Sequence, residues 1–274
     1  MSTPGQKNDF SYLNILNLID MRRRGSSAVD EESEPTALFD ACMHHDYDVV
    51  CKLLILGASP CYNYGSDTPF TVVARNPRSD VLGLMIERMS SVDMESVPKH
   101  LMFSVVKYLI LQNQIKTLSK IDIKILELMD WRTGETFLHI AAEVGNLQVV
   151  ELLRSKGVSI YVADEGGNLP IHCAAAENHV HLLEWFFRAD NTLVNATNAY
   201  GWTLAHLTIQ NHSIKSLKCL VRHVDNVLDI VDQLRSEYSQ SAYSQRLAAY
   251  DLKSDNTEHS ILMGMLDELD TLGL

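Results

Sequence analysis

Apolar side chains recur along this chain with the spacing of short, paired α-helices. Between Asp130 and Ala163, a turn leads into apolar positions at 136–142, a break at Gly145, a second helical pattern that stops at Gly157, and a β-like run at 158–162. Apolar residues three and four apart indicate helices with one buried face. A single helix pair leaves part of its apolar surface uncovered, so the pattern predicts stacking against further copies of the unit.

Individual residues predict where these helices begin and end. Thr136 stands where its hydroxyl can cap a helix N-terminus. Gly145 and Gly157 follow the two helices, where a left-handed backbone ends a helix at little cost. Ala141 and Ala142 are small enough for a neighbouring helix to approach closely.

Copies of this unit recur at nearly constant intervals. The motif positions are Thr36, Thr68, Thr136, Leu169 and Thr203. The interval from Thr68 to Thr136 is twice that between other neighbours, which predicts a degenerate copy near Met102. We prefer one continuous stack; the alternative is a domain break at 97–129, with two short stacks joined by a helical spacer.

The segment Thr-Phe-Leu-His-Ile-Ala at 136–141 resembles the Thr-Pro-Leu-His-x-Ala signature of the ankyrin repeat family. The resemblance extends over residues 35–266 and implies an all-α solenoid of stacked helix–turn–helix units with β-turn tips and helical caps. Repeats are expected near 35–62, 63–96, 97–129, 130–163, 164–197, 198–234 and 246–266.

The two ends of the chain are expected to lie outside the repeats. Residues 1–34 read as a tail with a capping helix at 9–24, or alternatively a docking helix, followed by an acidic linker at 25–34. Arg23–Ser26 resembles a basophilic kinase site, a short pattern of little weight. Residues 267–274 read as an acidic C-terminal tail.

The net charge of −12 argues against a phosphate-binding surface and weakly favours a basic partner. No apolar run is long enough to span a bilayer. The first ten residues lack the pattern of a signal peptide, and the five cysteines have no regular spacing. We therefore expect a cytoplasmic protein, with the nucleus or a host cytoplasm as alternatives.

Three histidines, His139, His172 and His206, recur at the fourth motif position. The resemblance implies that each bonds to a neighbouring turn. A metal site is disfavoured because ligands must converge on one point. Phe39 and Thr71 replace this histidine in the first two copies, so those turns must be tied differently. Cys173 is interpreted as a buried small residue. The sequence contains no recognisable catalytic motif, and no cofactor or metal is expected.

The family's binding surface comprises the turn tips and the exposed side of each first helix. By position it includes Asp67, Arg75, Trp131, Arg132, Glu135, Glu143, Glu165, Asn168, Glu177, Tyr200, Trp202 and Gln210. The aromatic members Trp131, Tyr200 and Trp202 are either interface hot spots or side chains packed along the next turn.

The leading hypothesis for function is a non-enzymatic scaffold or adaptor that binds another protein. We expect a monomer that binds neither nucleic acid nor membrane. One alternative is a bacterial effector acting on a host protein. The other is an enzyme with an unrecognised site in 76–130 or 225–247.

Overall fold

The structure is a computed structural model that describes residues 33–55, 57–61, 67–75, 79–211 and 213–223. The predicted capping helix at 9–24, most of the acidic linker, the repeat at 246–266 and the C-terminal tail lie outside these residues. The described residues fall into two compact units, which divide between Ile125 and Leu126. We call them unit 1 and unit 2.

The described secondary structure is helical, with isolated β-bridges at two turns, between Met129 and Thr136 and between Thr197 and Thr203. The helices that begin in unit 1 are α1 (Ser33–Met43), α2 (Tyr47–Ile55), α3 (Pro69–Arg75), α4 (Ser79–Arg88), α5 (Ser91–Ser96), α6 (Lys99–Leu111), α7 (Ile115–Leu118) and α8 (Ile123–Leu126). Those of unit 2 are α9 (Phe137–Val144), α10 (Leu147–Ser155), α11 (Pro170–Ala176), α12 (Val180–Ala189), α13 (Leu204–Gln210) and α14 (Ile214–Val221), with a 3₁₀ turn at Asn191–Asn195.

Each repeat is a helical hairpin, and the first helices of successive hairpins pack side by side. In unit 1 the first helices α1, α3 and α6 are in contact in that order, and in unit 2 the order is α9, α11 and α13. Ala141, Ala142, Ala174 and Ala175 are fully buried. These small side chains allow α9 and α11 to approach closely, as the sequence predicted.

The core of each unit is made of apolar side chains from both helices of the hairpins. In unit 1, Leu38, Phe70 and Leu109 are completely buried, and in unit 2 Phe137 and Phe186 are. Burying side chains of this size stabilises each hairpin by about 2 kcal/mol per residue. The all-α stacked fold expected from the sequence is therefore confirmed.

The degenerate copy near Met102 keeps the helix pair in an altered form. Helix α6 has 13 residues and begins after Pro98, so Met102 lies inside the helix and not at its start. Its partner α7 has only four residues. The apolar pattern of this segment is continuous and lacks a Thr-Pro pair. Helix α6, the first helix of this copy, is therefore longer than the first helices of the other copies. Helix α5, capped by Ser90 and Asp93, was not predicted. Whether the repeats form one stack stays a prediction.

Two local predictions are wrong. Helix α1 begins at Ser33, so Thr36 lies within the helix and does not open it, and the acidic linker is shorter by two residues. The β-like run at 158–162 forms no strand. Val158 and Ile160 are buried while Tyr161 is exposed, so the alternation comes from a bent connection packed against helices.

No helix in the described ranges is both long and apolar enough to cross a membrane.

Candidate interaction surface

Three hairpin tips precede the first helices of unit 2. They span 130–135, 164–168 and 198–202, and each is closed by a backbone hydrogen bond. The N–H of Asp130 donates to the Glu135 carbonyl at 2.8 Å, that of Asp164 to Asn168 at 2.9 Å, and that of Asn198 to Trp202 at 3.0 Å. The second and third tips therefore close over five residues each, and the first closes over six.

The first side chain of each tip organises the residues that follow. Asp130 Oδ1 accepts from the Arg132 N–H at 2.8 Å, and Asp164 Oδ1 accepts from the Asn168 N–H at 2.7 Å. Asn198 Oδ1 accepts from the N–H groups of Tyr200 and Trp202, each at 3.0 Å. These three residues were not among the predicted site residues. Their recurrence every 34 positions is the signal that could have identified them.

Neighbouring tips are joined to each other by backbone hydrogen bonds. The Glu165 N–H donates to the Thr133 carbonyl at 2.9 Å, and the Ala199 N–H donates to the Gly166 carbonyl at 3.1 Å. Asn198 Nδ2 also donates to Asn168 Oδ1 at 2.9 Å. We call this set of contacts the tip ladder. It fixes the spacing of the three tips.

The recurring histidines cap the first helices. Nδ1 of His139 accepts from the Thr136 N–H at 3.1 Å, that of His172 accepts from Leu169 at 3.0 Å, and that of His206 accepts from Thr203 at 3.1 Å. Because Nδ1 is an acceptor in each case, the neutral ring carries its proton on Nε2.

Only His139 is seen to bond to a neighbouring turn, as the resemblance implied. Its Nε2 donates to the Asn168 carbonyl at 2.8 Å. The Ala196 carbonyl, which precedes the third tip, acts on the His172 ring as a hydrogen-bond acceptor and raises its pKa, although no hydrogen bond to the buried Nε2 has good geometry. The bond that the resemblance implies for His172 therefore stays a prediction. The turn that would follow His206 lies outside the described residues.

In the second copy a different side chain caps the first helix, as expected. Thr71 occupies the histidine position, and its Oγ1 accepts from the Thr68 N–H at 2.9 Å. Asp67 pairs with Arg75 at 2.5 Å, so these two residues of the predicted surface neutralise each other.

The described residues bring no three histidine, cysteine or acidic side chains together in an arrangement that could hold a metal ion. Burial lowers the pKa of His139 and lowers that of His172 to about 4. Both rings are therefore neutral at pH 7 and act as hydrogen-bonding groups of the fold.

The stability of unit 2 is expected to fall as the pH decreases from about 6.5 to about 4. In the unfolded chain His172 takes up a proton near its ordinary pKa of 6.5, whereas in the folded chain it does so only near a pKa of about 4. As the pH falls from 6.5 to 4, the free energy of unfolding therefore decreases by up to about 3 kcal/mol. Urea unfolding at several pH values measures the slope, and His172→Gln should flatten it. Constant stability between pH 7 and 5 would contradict the prediction.

The three predicted aromatic residues differ sharply in exposure. Trp131 is 72% exposed and Tyr200 is 51% exposed, whereas Trp202 is only 5% exposed. Trp202 is the last residue of its tip, where the chain turns back onto the stack and its N–H is held by Asn198. The prediction that Trp202 is an exposed binding residue is therefore wrong, whereas Trp131 and Tyr200 are exposed.

The other predicted residues differ in how exposed their side chains are. Arg132 is exposed, with its guanidinium 4.6 Å from the centre of the Trp131 ring, a cation–π contact. Glu143, Glu165 and Glu177 are exposed, whereas Glu135 and Gln210 are half-buried. The half-buried Asn168 donates to Asp164 and accepts from Asn198, so its amide belongs to the tip ladder.

Cys173 is a member of this surface that the sequence did not indicate. The residue as a whole is half-buried, but its thiol lies in a buried environment, as predicted. Its pKa is raised to about 12, first by burial and then by the carboxylates of Asp164, Glu135, Glu143 and Glu177. The thiol is therefore protonated and unsuited to nucleophilic catalysis.

Helical hairpins stacked in order, with a histidine capping each first helix of unit 2 and with tips joined to one another, define an ankyrin-type array. A family model described as ankyrin repeats (many copies) matches residues 138–187. The resemblance to the ankyrin repeat family is thus confirmed. Ankyrin repeats are modules for protein–protein interaction, generally without enzymatic activity.

The chain is similar to several ankyrin-type relatives. The probable 26S proteasome regulatory subunit p28 of Saccharomyces cerevisiae is 22% identical over 79% of this chain and 97% of that protein. Ankyrin repeat and SOCS box protein 3 of Bos taurus is 34% identical over 30% of this chain, but only 16% of that protein is covered. The nuclear factor NF-kappa-B p105 subunit of Gallus gallus is 28% identical over 32% of this chain and 9% of that protein.

Proposed function

We propose that this protein is a non-enzymatic scaffold or adaptor that binds a partner protein through the tips of unit 2 and the exposed side of its first helices. The observation that carries the proposal is the exposure of Trp131 and Tyr200 on tips whose spacing is fixed. Large aromatic side chains held rigidly at a surface lose little entropy on binding and are frequent interface hot spots.

The first tip is prepared for binding by its own contacts. Asp130 holds the N–H of Arg132, and the Arg132 guanidinium lies against the Trp131 ring. Both side chains are exposed and are oriented before any partner arrives. A partner that covers the indole buries a large apolar area without first ordering the loop.

The proposal is tested with the double variant Trp131→Ala/Tyr200→Ala, in affinity capture from a lysate followed by titration of the captured protein. We expect each of the two changes to weaken binding about thirtyfold, because each removes one hot spot. The matched control is Tyr161→Ala, since Tyr161 is 53% exposed but lies outside the tips. Trp202 is left intact because truncating a buried side chain would confound folding with binding.

Two outcomes would contradict this proposal. One is a folded double variant that binds every captured protein as tightly as the native chain. The other is an equal loss of binding in Tyr161→Ala, which would place the contact elsewhere on unit 2.

A role as a subunit of a larger protein assembly is a second candidate. It is favoured by the likeness to the yeast proteasome regulatory subunit, which extends over nearly all of that protein. Sedimentation of the tagged chain with 26S proteasomes tests it. Migration of the chain at its own mass alone, with proteasomes present in excess, would exclude the role.

The enzyme alternative gains no support in unit 1. The described part of 76–130 is filled by buried apolar side chains, among them Met85, Met102 and Leu118. Residues 225–247 lie outside the described residues. The bacterial effector, the cytoplasmic location and the monomeric state stay predictions.

A further inference from the structure

The charged side chains of unit 2 are segregated between the two sides of its hairpins. Within residues 126–211 and 213–223, the tips, the first helices and their capping residues carry six carboxylates and a single arginine or lysine, Arg132. The carboxylates are Asp130, Glu135, Glu143, Asp164, Glu165 and Glu177. The second helices and the residues just after them carry six cations (Arg154, Lys156, Arg188, Lys215, Lys218 and Arg222) against three carboxylates (Glu151, Glu184 and Asp190). The side with the exposed aromatic residues is therefore the acidic one.

Four of these carboxylates influence the same side chain. Glu135, Glu143, Asp164 and Glu177 all raise the pKa of the Cys173 thiol on α11. Glu135 and Asp164 lie on neighbouring tips joined by the Glu165–Thr133 bond, and Glu143 and Glu177 lie at the ends of the contacting helices α9 and α11, so the four share one side of these two hairpins. We call this side the acidic face.

None of the four carboxylates forms an ion pair with a residue that the structure describes; the pairs seen there use other acidic side chains, such as Glu87, Glu95 and Glu184. Unneutralised like charges repel one another, and a cationic partner relieves this repulsion on binding. Charge complementarity therefore selects the occupant.

Resting on the proposed function, we infer that the partner binds the acidic face through an extended segment rich in lysine or arginine. Glu143 lies in the last turn of α9, and Glu177 directly follows the neighbouring first helix α11. Packed helices lie about 10 Å apart, which corresponds to about three residues of extended chain. The exposed aromatic ring of Tyr200, on the third tip, is a further group that such cations can contact.

Synthetic peptides with lysine, or glutamate, at every third position provide the probes, and the full chain is used throughout. The lysine peptide should bind, with an affinity that falls as salt is raised, and the glutamate peptide should not. Glu143→Gln/Glu177→Gln should weaken binding of the lysine peptide about tenfold. The matched control, Glu151→Gln/Glu184→Gln on the second helices, should leave it unchanged.

Failure of the lysine peptide to bind, equal binding of the glutamate peptide, or no effect of Glu143→Gln/Glu177→Gln would each overturn the inference. Self-association of the chain at low salt, lost in the same double variant, would overturn it in favour of a second copy as the occupant. If a captured partner depends on Trp131 and Tyr200 but not on Glu143 and Glu177, the proposed function stands and this inference fails.

Discussion

Replacing Gly167 with alanine is expected to destabilise unit 2 by about 4 kcal/mol, which combines backbone strain with a steric clash. Gly167 has a φ of +75°, a left-handed conformation that L side chains rarely adopt. A Cβ here would lie 2.3 Å from the backbone nitrogen of Ala199, in the next tip. The obstacle is main chain that itself belongs to the tip ladder, so it cannot rotate away as a flexible side chain would.

Gly201 provides the matched control for this change. It holds the same place in the following tip, with a φ of +76°, but no described atom lies within 4 Å of its would-be Cβ. Gly201→Ala therefore reports strain alone and should cost about 1 kcal/mol. Urea unfolding followed by tryptophan fluorescence compares the two, because Trp131, Trp185 and Trp202 all lie in unit 2. Equal midpoints would show that the tips are not closely stacked at Gly167.

Two substitutions at His139 are expected to separate its two roles. His139→Ala removes the cap on α9 and the bond to the neighbouring turn, and should cost about 3 kcal/mol because buried polar groups lose their partners. His139→Thr should cost only about 1.5 kcal/mol. Threonine keeps the local cap, as Thr71 does in the second copy, but cannot reach Asn168.

The fluorescence-detected urea midpoint, together with its slope, measures both His139 variants. His206→Thr is the comparison, because its Nδ1 makes the same contact with the preceding threonine. If His139→Ala and His139→Thr lose the same stability, the local cap contributes nothing and the prediction fails.

Much of the fold could be predicted because its signals are local and repeated. The recurring motif at Thr136, Leu169 and Thr203 placed the first helices of unit 2, and Gly145 ends α9 in the left-handed conformation that its sequence position suggested. The prediction failed where a local pattern had two structural causes. The alternation at 158–162 reflects packing of a bent connection, and the continuous apolar run around Met102 hides the start of α6.

The candidate site was less predictable because periodicity gives a position within a tip and not the direction of its side chain. Trp131 and Trp202 both lie in tips, yet one is the second residue and the other the last, where the chain folds back. The backbone bond from Glu165 to Thr133 leaves no trace in side-chain identity, so no sequence pattern could reveal it. The grouping of carboxylates around Cys173 needs three dimensions as well.

Recognition in this array is free to evolve separately from architecture. The atoms that join neighbouring tips are backbone groups of Thr133, Glu165, Gly166 and Ala199, so most of the ladder does not depend on which side chains the tips display. Positions 131, 132, 165 and 200 are accordingly open to randomisation. If partners bind at the tips as proposed, a library diversified there would yield new specificities on an unchanged frame.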